Sequence, residues 1–181
     1  APAAAPAPAP APADDEFKPS AAIVEVLINF LIRVALIAGE AKDAAGLSDQ
    51  CVALLDQGLR VWPDANIKFQ YFEKQLQATS QESATALLTF LAILRSILKA
   101  QPKFLLKNLR SLTPLLRPAF EHHTANDKMV VLLCDFLRDA LASLAEPPGA
   151  PPAPELGAFL RWLSEMIGHG LLAVSLSKEA A

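Results

Sequence analysis

From Ser20 onward the apolar residues recur at helical spacing, and no stretch alternates apolar with polar residues long enough to make a strand. That property alone restricts the chain to packed helices. Proline then marks where the packing can begin and end. Eleven of the 15 prolines fall in two tracts, residues 1–19 and the run PPGAPPAP at 147–154. Alternating Ala-Pro supplies few helix donors and favours extended, solvated polyproline II. Residues 1–19 are therefore expected to be a disordered tether and 147–154 a semi-stiff linker. Between them lies a helical array over 20–146; beyond them, a further helix and a loose C-terminus over 155–181.

Caps and breakers divide the array. The first helix is expected from Ser20, a good N-cap, to Gly39, a good stop. The second covers Ser48–Val61 after a polar loop. The third spans Asp64–Thr79, with Trp62-Pro63-Asp64 as its start chemistry, and the fourth Ser83–Ala100. Lys103–His122 is expected to hold two helices, broken or bent around Thr113-Pro114 and Pro118, because an interior proline costs ~3 kcal/mol. Another opens at Asn126 and ends near Glu146. A last candidate, Glu155–Val174, is weakened at its end by Gly168 and Gly170. Helix pairs thus recur about every 40 residues, the period of HEAT-like hairpins.

The stretch VWPDANIKFQYFEKQLQ (Val61–Gln77) carries a packing message. On a helical wheel Phe69, Phe72 and Leu76 cluster on one side, with Ile67 and Tyr71 on roughly the other. A surface helix buries one stripe; a helix sandwiched in a stack buries two. These aromatics are therefore read as packing rather than as a ligand site. In ALLTFLAILRSIL (Ala86–Leu98) only Thr89, Arg95 and Ser96 interrupt the apolar surface, which makes that helix central. In Lys128–Leu144, the residues Met129, Leu133, Phe136 and Ala140 face inward. Lys128, Asp135 and Asp139 mark a wet edge, with Asp135 and Arg138 spaced to pair. Cys51 and Cys134, both in apolar stretches without metal spacing, are expected to be buried free thiols.

Composition excludes several functions. A net charge of −3 over 181 residues gives no electrostatic footprint for nucleic acid. The first residues lack a basic start before an apolar run, so no signal peptide is read there. Ile23–Ala38 falls short of the ~20 residues of a membrane span and carries Glu25, Asn29 and Arg33 as one polar stripe, so no membrane is expected. Glycine-rich phosphate loops, HExxH and the kinase signatures are absent, and no cofactor or metal is expected. His122-His123 point about 100° apart on a helix and read as a wet helix end rather than a metal pair. A nucleophilic role for Cys134 would need an open, electropositive setting that VLLCDFL does not suggest. No catalytic residue emerges. Lys103, Lys107 and Arg110, at i, i+4 and i+7, form a basic stripe. It reads first as a solvated face and second as a partner surface for an acidic activation segment.

NFLIRVA (Asn29–Ala35), CVALL (Cys51–Leu55), Trp62-Pro63, IKFQYFEK (Ile67–Lys74), TALLTFLAIL (Thr85–Leu94) and LRSLTPLLRPAF (Leu109–Phe120) follow in a distinctive order. Over about residues 23–145 the chain resembles the TRRAP family, very large PIKK-related pseudokinases of histone acetyltransferase complexes. The Ala-Pro tail and PPGAPPAP depart from that pattern. The resemblance implies a segment of a giant HEAT α-solenoid, far from the kinase-like domain. It also implies a non-catalytic nuclear scaffold that helps bring acetyltransferase modules to DNA-bound activators, its partners being neighbouring helical repeats, complex subunits and acidic activators. The alternative is a self-contained helical bundle that binds one peptide in an apolar groove. A solenoid segment would expose apolar faces at both ends; a bundle would not.

Overall fold

The computed structural model describes residues 18–78, 83–123, 126–144 and 154–179, less some side chains within the helices. Most of the expected tether and linker lie outside these residues. Among the described residues every element is helical: α1 (Ala21–Glu40), a 3₁₀ turn (Lys42–Ala44), α2 (Ala45–Val61), α3 (Phe69–Ala78), α4 (Ala84–Ala100), α5 (Pro102–His122), α6 (Asp127–Leu144) and α7 (Pro154–Glu179). The helices form two rows. In one, α1, α3, α5 and α7 each pack on the next; in the other, α2, α4 and α6 do the same, and hairpin contacts such as α1 with α2 tie the rows together. An array that grows by adding helices to both rows has no intrinsic end, which is the geometry of a helical solenoid.

Local chemistry explains most of the boundaries. The Ser20 hydroxyl accepts the Ile23 N–H at 3.4 Å, Ser83 accepts Ala86 N–H at 3.3 Å, and Asn126 Oδ1 accepts Met129 N–H at 3.2 Å. Each cap satisfies a donor that the first turn leaves without a partner, worth about 1 kcal/mol.

Helix α4 is the centre of the array. Ten of its 17 residues are buried, and it packs against α1, α2, α5 and α6, as a helix apolar nearly all round must. Its buried Thr89 hydroxyl finds a partner. Thr89 hydrogen-bonds Ser48 of α2 at 3.1 Å, and Ser48 also donates to the Ala35 carbonyl of α1 at 3.2 Å. The three helices approach so closely there that a Cβ on Gly39 would lie 2.5 Å from Thr89 Oγ1.

The acidic edge of α6 is drier than its sequence suggests. Arg95 of α4 reaches across to Asp135 at 2.9 Å and Asp139 at 2.7 Å, while Arg138 pairs with Asp135 at 2.8 Å. The hydrogen bond from Arg95 holds the Asp139 carboxyl below its ordinary range, and the same bond raises Arg95. A carboxyl depressed by folding stabilises fully above its unfolded value near ~4 and loses that contribution as pH falls through the lower folded value. Asp139→Asn is therefore expected to cost ~1 kcal/mol near neutral pH. Urea titrations across pH should show this gap constant from about pH 5 to 8 and closing below about 4; a gap that persists at low pH would show the charge is not the cause.

Four expectations need correction. Lys103–His122 is one helix, not two. Leu112 and Leu116 straddle Pro114 and are completely buried, and Trp162 Nε1 donates to Thr113 Oγ1 at 2.8 Å. Burying two leucines is worth about 3–6 kcal/mol, comparable to what a proline forfeits. Helix α3 starts at Phe69 rather than Asp64, and Ile67 packs in the core from outside the helix; Leu76's side chain lies outside the described ones. Cys134 is exposed although Cys51 is buried, because it falls beside the inward line of Met129, Leu133, Phe136 and Ala140 rather than on it. Finally, α1 runs 20 residues and is long and apolar enough to cross a membrane. Its place against α2, α3 and α4, with Val24, Ile28, Ile32 and Leu36 buried, accounts for that apolarity within the array.

Helix α7 extends the odd row. Phe159, Trp162 and Met166, at i, i+3 and i+7, are buried where it lies against α5. The exposed large apolar side chains are distributed unevenly. Among the described residues all thirteen lie on α1, α2, α6 and α7, the first two helices and the last two, and none lies on α3, α4 or α5. On α1 the stripe is Ile23, Val26, Leu27, Phe30 and Ile37; on α2 it is Leu47, Leu54 and Val61, seven residues apart.

Candidate functional site

The polar stripe of α1 is buried at its centre and only partly a solvent edge. Asn29 is 5% exposed, and its side chain organises the segment between α2 and α3. After the Trp62 N–H caps α2 on the Gly58 carbonyl, Ala65 N–H closes a turn on Trp62 C=O at 3.1 Å. The backbone then runs on without helix until Phe69, and side chains from elsewhere take its polar groups. Asn29 Nδ2 donates to the Asn66 carbonyl and Asn29 Oδ1 accepts Lys68 N–H, both at 2.9 Å; Gln101 Nε2 donates to the Ala65 carbonyl at 2.7 Å. Buried backbone groups must be paired, and here the pairing comes from α1 on one side and the start of α5 on the other. That is why α3 begins late.

Charge reinforces the clamp. Lys68 Nζ lies 2.7 Å from Glu25 Oε1, and Asn66 Nδ2 donates to Glu25 Oε2 at 3.3 Å. The hydrogen bond from Lys68, aided by Asn66, lowers the Glu25 carboxyl below its usual value, and Glu25 raises Lys68 in return. Arg33 completes the stripe, its guanidinium 5.4 Å from the centre of the Tyr71 ring.

The clamped segment forms one lip of an open groove of about 630 Å³. The start of α5 forms the other. Asp64 and Asn66 stand on the first lip, Lys103 and Lys107 on the second, and Phe69 and Phe104 meet between them with ring centres 6.1 Å apart. Behind these, Phe72 is fully buried and touches Phe104 and Phe90 with ring centres 6.5 and 6.0 Å apart. The aromatics around Trp62 thus divide. Phe72 is core, Tyr71 lies half-buried under Arg33 and Trp62 packs on the core, whereas Phe69 faces the groove.

Of the basic stripe, the structure brings Lys103 and Lys107 to this lip, both exposed and neither with a partner among the described residues. The side chain of Arg110 lies outside the described ones. Asp64, Asn66, Phe69 and Phe104 were not legible as a group in the sequence, since the groove joins segments about 35 residues apart. His122 is exposed at the C-terminus of α5, and His123 follows it half-buried. Among the described residues no three His, Cys, Asp or Glu side chains gather as a metal site. What the arrangement can do is bind: it offers an aromatic floor, a preformed backbone and lips of unlike charge.

The comparisons with known proteins agree with this architecture. A family model described as the Tra1 HEAT repeat ring region matches residues 3–176. The chain is 30% identical over 135 residues to probable transcription-associated protein 1 of Dictyostelium discoideum, a match covering 74% of this chain and 3% of that protein. It is also 39% identical over 64 residues to the transformation/transcription domain-associated protein of Homo sapiens, covering 32% of this chain and 2% of that protein. The corresponding protein of Danio rerio is 36% identical over 64 residues, with the same coverage. The chain thus spans only 2–3% of the length of these relatives. No solved structure matches it significantly. With helices in two open-ended rows and a family match over nearly its whole length, this chain belongs to the Tra1 HEAT repeat ring family.

Proposed function

We propose that the chain is a non-catalytic scaffold segment of a TRRAP-like transcription co-activator, which supports assembly of histone acetyltransferase complexes and their recruitment by activators in the nucleus. Its immediate partners are neighbouring helical repeats of a larger chain, with complex subunits and acidic activators engaging its surface. The transcription-associated names of the relatives support the setting. The observation that carries the scaffold role is the distribution of apolar surface: exposed on the first two and last two helices and absent from the middle three among the described residues. A closed bundle has no reason to leave Ile23, Val26, Leu27 and Phe30 in water along one helix; a stack interrupted at both ends does.

The test is association of the chain with itself. Sedimentation is expected to show oligomers that grow with concentration, because open apolar faces find each other when their natural neighbours are missing. Val26→Glu with Phe30→Glu should shift the chain toward monomer while its circular dichroism stays helical. A wild-type chain that sediments as a monomer at every concentration would favour a closed bundle.

A further inference from the structure

We infer that the groove between the Pro63–Phe69 segment and the first turns of α5 is a docking site for a short acidic segment that carries one bulky apolar side chain. The inference deepens the proposed function and rests on it in taking the occupant to be an acidic protein segment of the kind named there.

The floor fixes the apolar requirement. Phe69 and Phe104 present half-buried rings to a space of about 630 Å³, room for one large side chain and a few residues of backbone. The lips fix the charge and its direction. Lys103 and Lys107 stand one helical turn apart, ~6 Å between Cβ atoms, a spacing matched by acidic residues one turn apart in a helix or two apart in an extended strand. Of the basic residues on the neighbouring segments, Lys68 is engaged by Glu25, Arg60 by Asp56, and Arg33 by the Tyr71 ring. Lys103 and Lys107 are not, so a carboxylate arriving there displaces no internal partner.

The opposite lip carries Asp64, which repels a second row of acids. An occupant therefore lies with its carboxylates toward α5 and its apolar anchor between the rings. That asymmetry also argues against nucleic acid, whose backbone presents charge continuously and would meet Asp64. The groove is preformed, because Asn29, Gln101 and Glu25 already hold the backbone and side chains of its first lip. A preformed site does not have to be ordered at the moment of binding.

Fluorescence anisotropy with the full chain tests this directly. The probe is a labelled synthetic 12-residue peptide with four carboxylates on one side of a central Phe. Lys103→Glu with Lys107→Glu is expected to weaken binding about tenfold or more, and Asp64→Lys to strengthen it about threefold, both effects shrinking at high salt. Replacing the peptide's Phe by Ala should weaken it about tenfold as well. All three altered residues are exposed, so circular dichroism should find the variants folded. Equal affinity of wild type and the lysine double variant would overturn the inference. So would equal binding of a lysine-for-carboxylate peptide, no loss on removing the Phe, or tighter binding of a single-stranded oligonucleotide that the same variants weaken. Self-association speaks to the stacked array and peptide affinity to the groove, so either can fail without the other.

Discussion

Phe72→Ala is expected to destabilise the chain by about 3–5 kcal/mol, a large share of the 5–15 kcal/mol that holds an ordinary domain together. Phe72 is fully buried and meets Phe69, Phe90 and Phe104, each with ring centres 6.0–6.5 Å away. It therefore joins α3 to α4 and α5, and removing it opens a cavity where both rows meet. Urea unfolding followed by circular dichroism should show the midpoint fall sharply. Tyr71→Ala, one position along, should cost less than about 1.5 kcal/mol, because its half-buried ring packs chiefly under Arg33. Equal costs at the two positions would contradict the division of these aromatics into core and surface.

Asn29→Ala is expected to cost about 2–3 kcal/mol by another route. The side chain makes three hydrogen bonds, to the carbonyls of Glu25 and Asn66 and from the N–H of Lys68. Its loss leaves the last two without their partner in a partly buried setting, and each such group costs ~1–3 kcal/mol before water reaches it. Asn29→Asp should be nearly as harmful. A carboxylate still accepts from Lys68 N–H but cannot donate to the Asn66 carbonyl. Hydrogen exchange gives the local reading: the Lys68 amide should lose protection in both variants while amides in α4 change little. If Lys68 stayed protected, the clamp would not depend on Asn29.

These two residues also mark where the sequence was legible and where it was not. Ser20, Ser83 and Asn126 each cap a helix within three residues of themselves, so local chemistry sufficed to place those starts. The start of α3 is decided by Asn29 and Gln101, more than 30 residues away on either side, and no local pattern carries that information. Pro114 misled for the same reason. Its cost is intrinsic, whereas the compensation comes from Leu112, Leu116 and a bond to Trp162, 49 residues beyond Thr113. Cys134 was different, since the signal was present: the inward line of Met129, Leu133 and Phe136 already put it off the buried face. The greasiness of VLLCDFL outweighed its angular position.

The candidate groove was half visible. Spacing alone set Lys103 and Lys107 on one side of a helix, and the polar stripe of Glu25, Asn29 and Arg33 stood out on another. What spacing could not reveal was that the stripe holds the Ala65–Lys68 segment, and that the segment then faces those lysines across Phe69 and Phe104. The architecture was more legible than the site. Helical period and two-sided apolarity are properties of each element, whereas a groove belongs to the way elements meet.

The claim beneath all of this is that both ends of the two rows continue into further helices. Carbene footprinting tests it most directly, by comparing the chain alone with a longer protein in which the same residues are flanked by helical repeats on both sides. Ile23, Val26, Phe30 and Leu54 at one end, and Val131 at the other, should label strongly in the chain alone and be protected in the longer protein. Equal labelling in the two would mean that these faces meet only water, and that the array ends where these seven helices do.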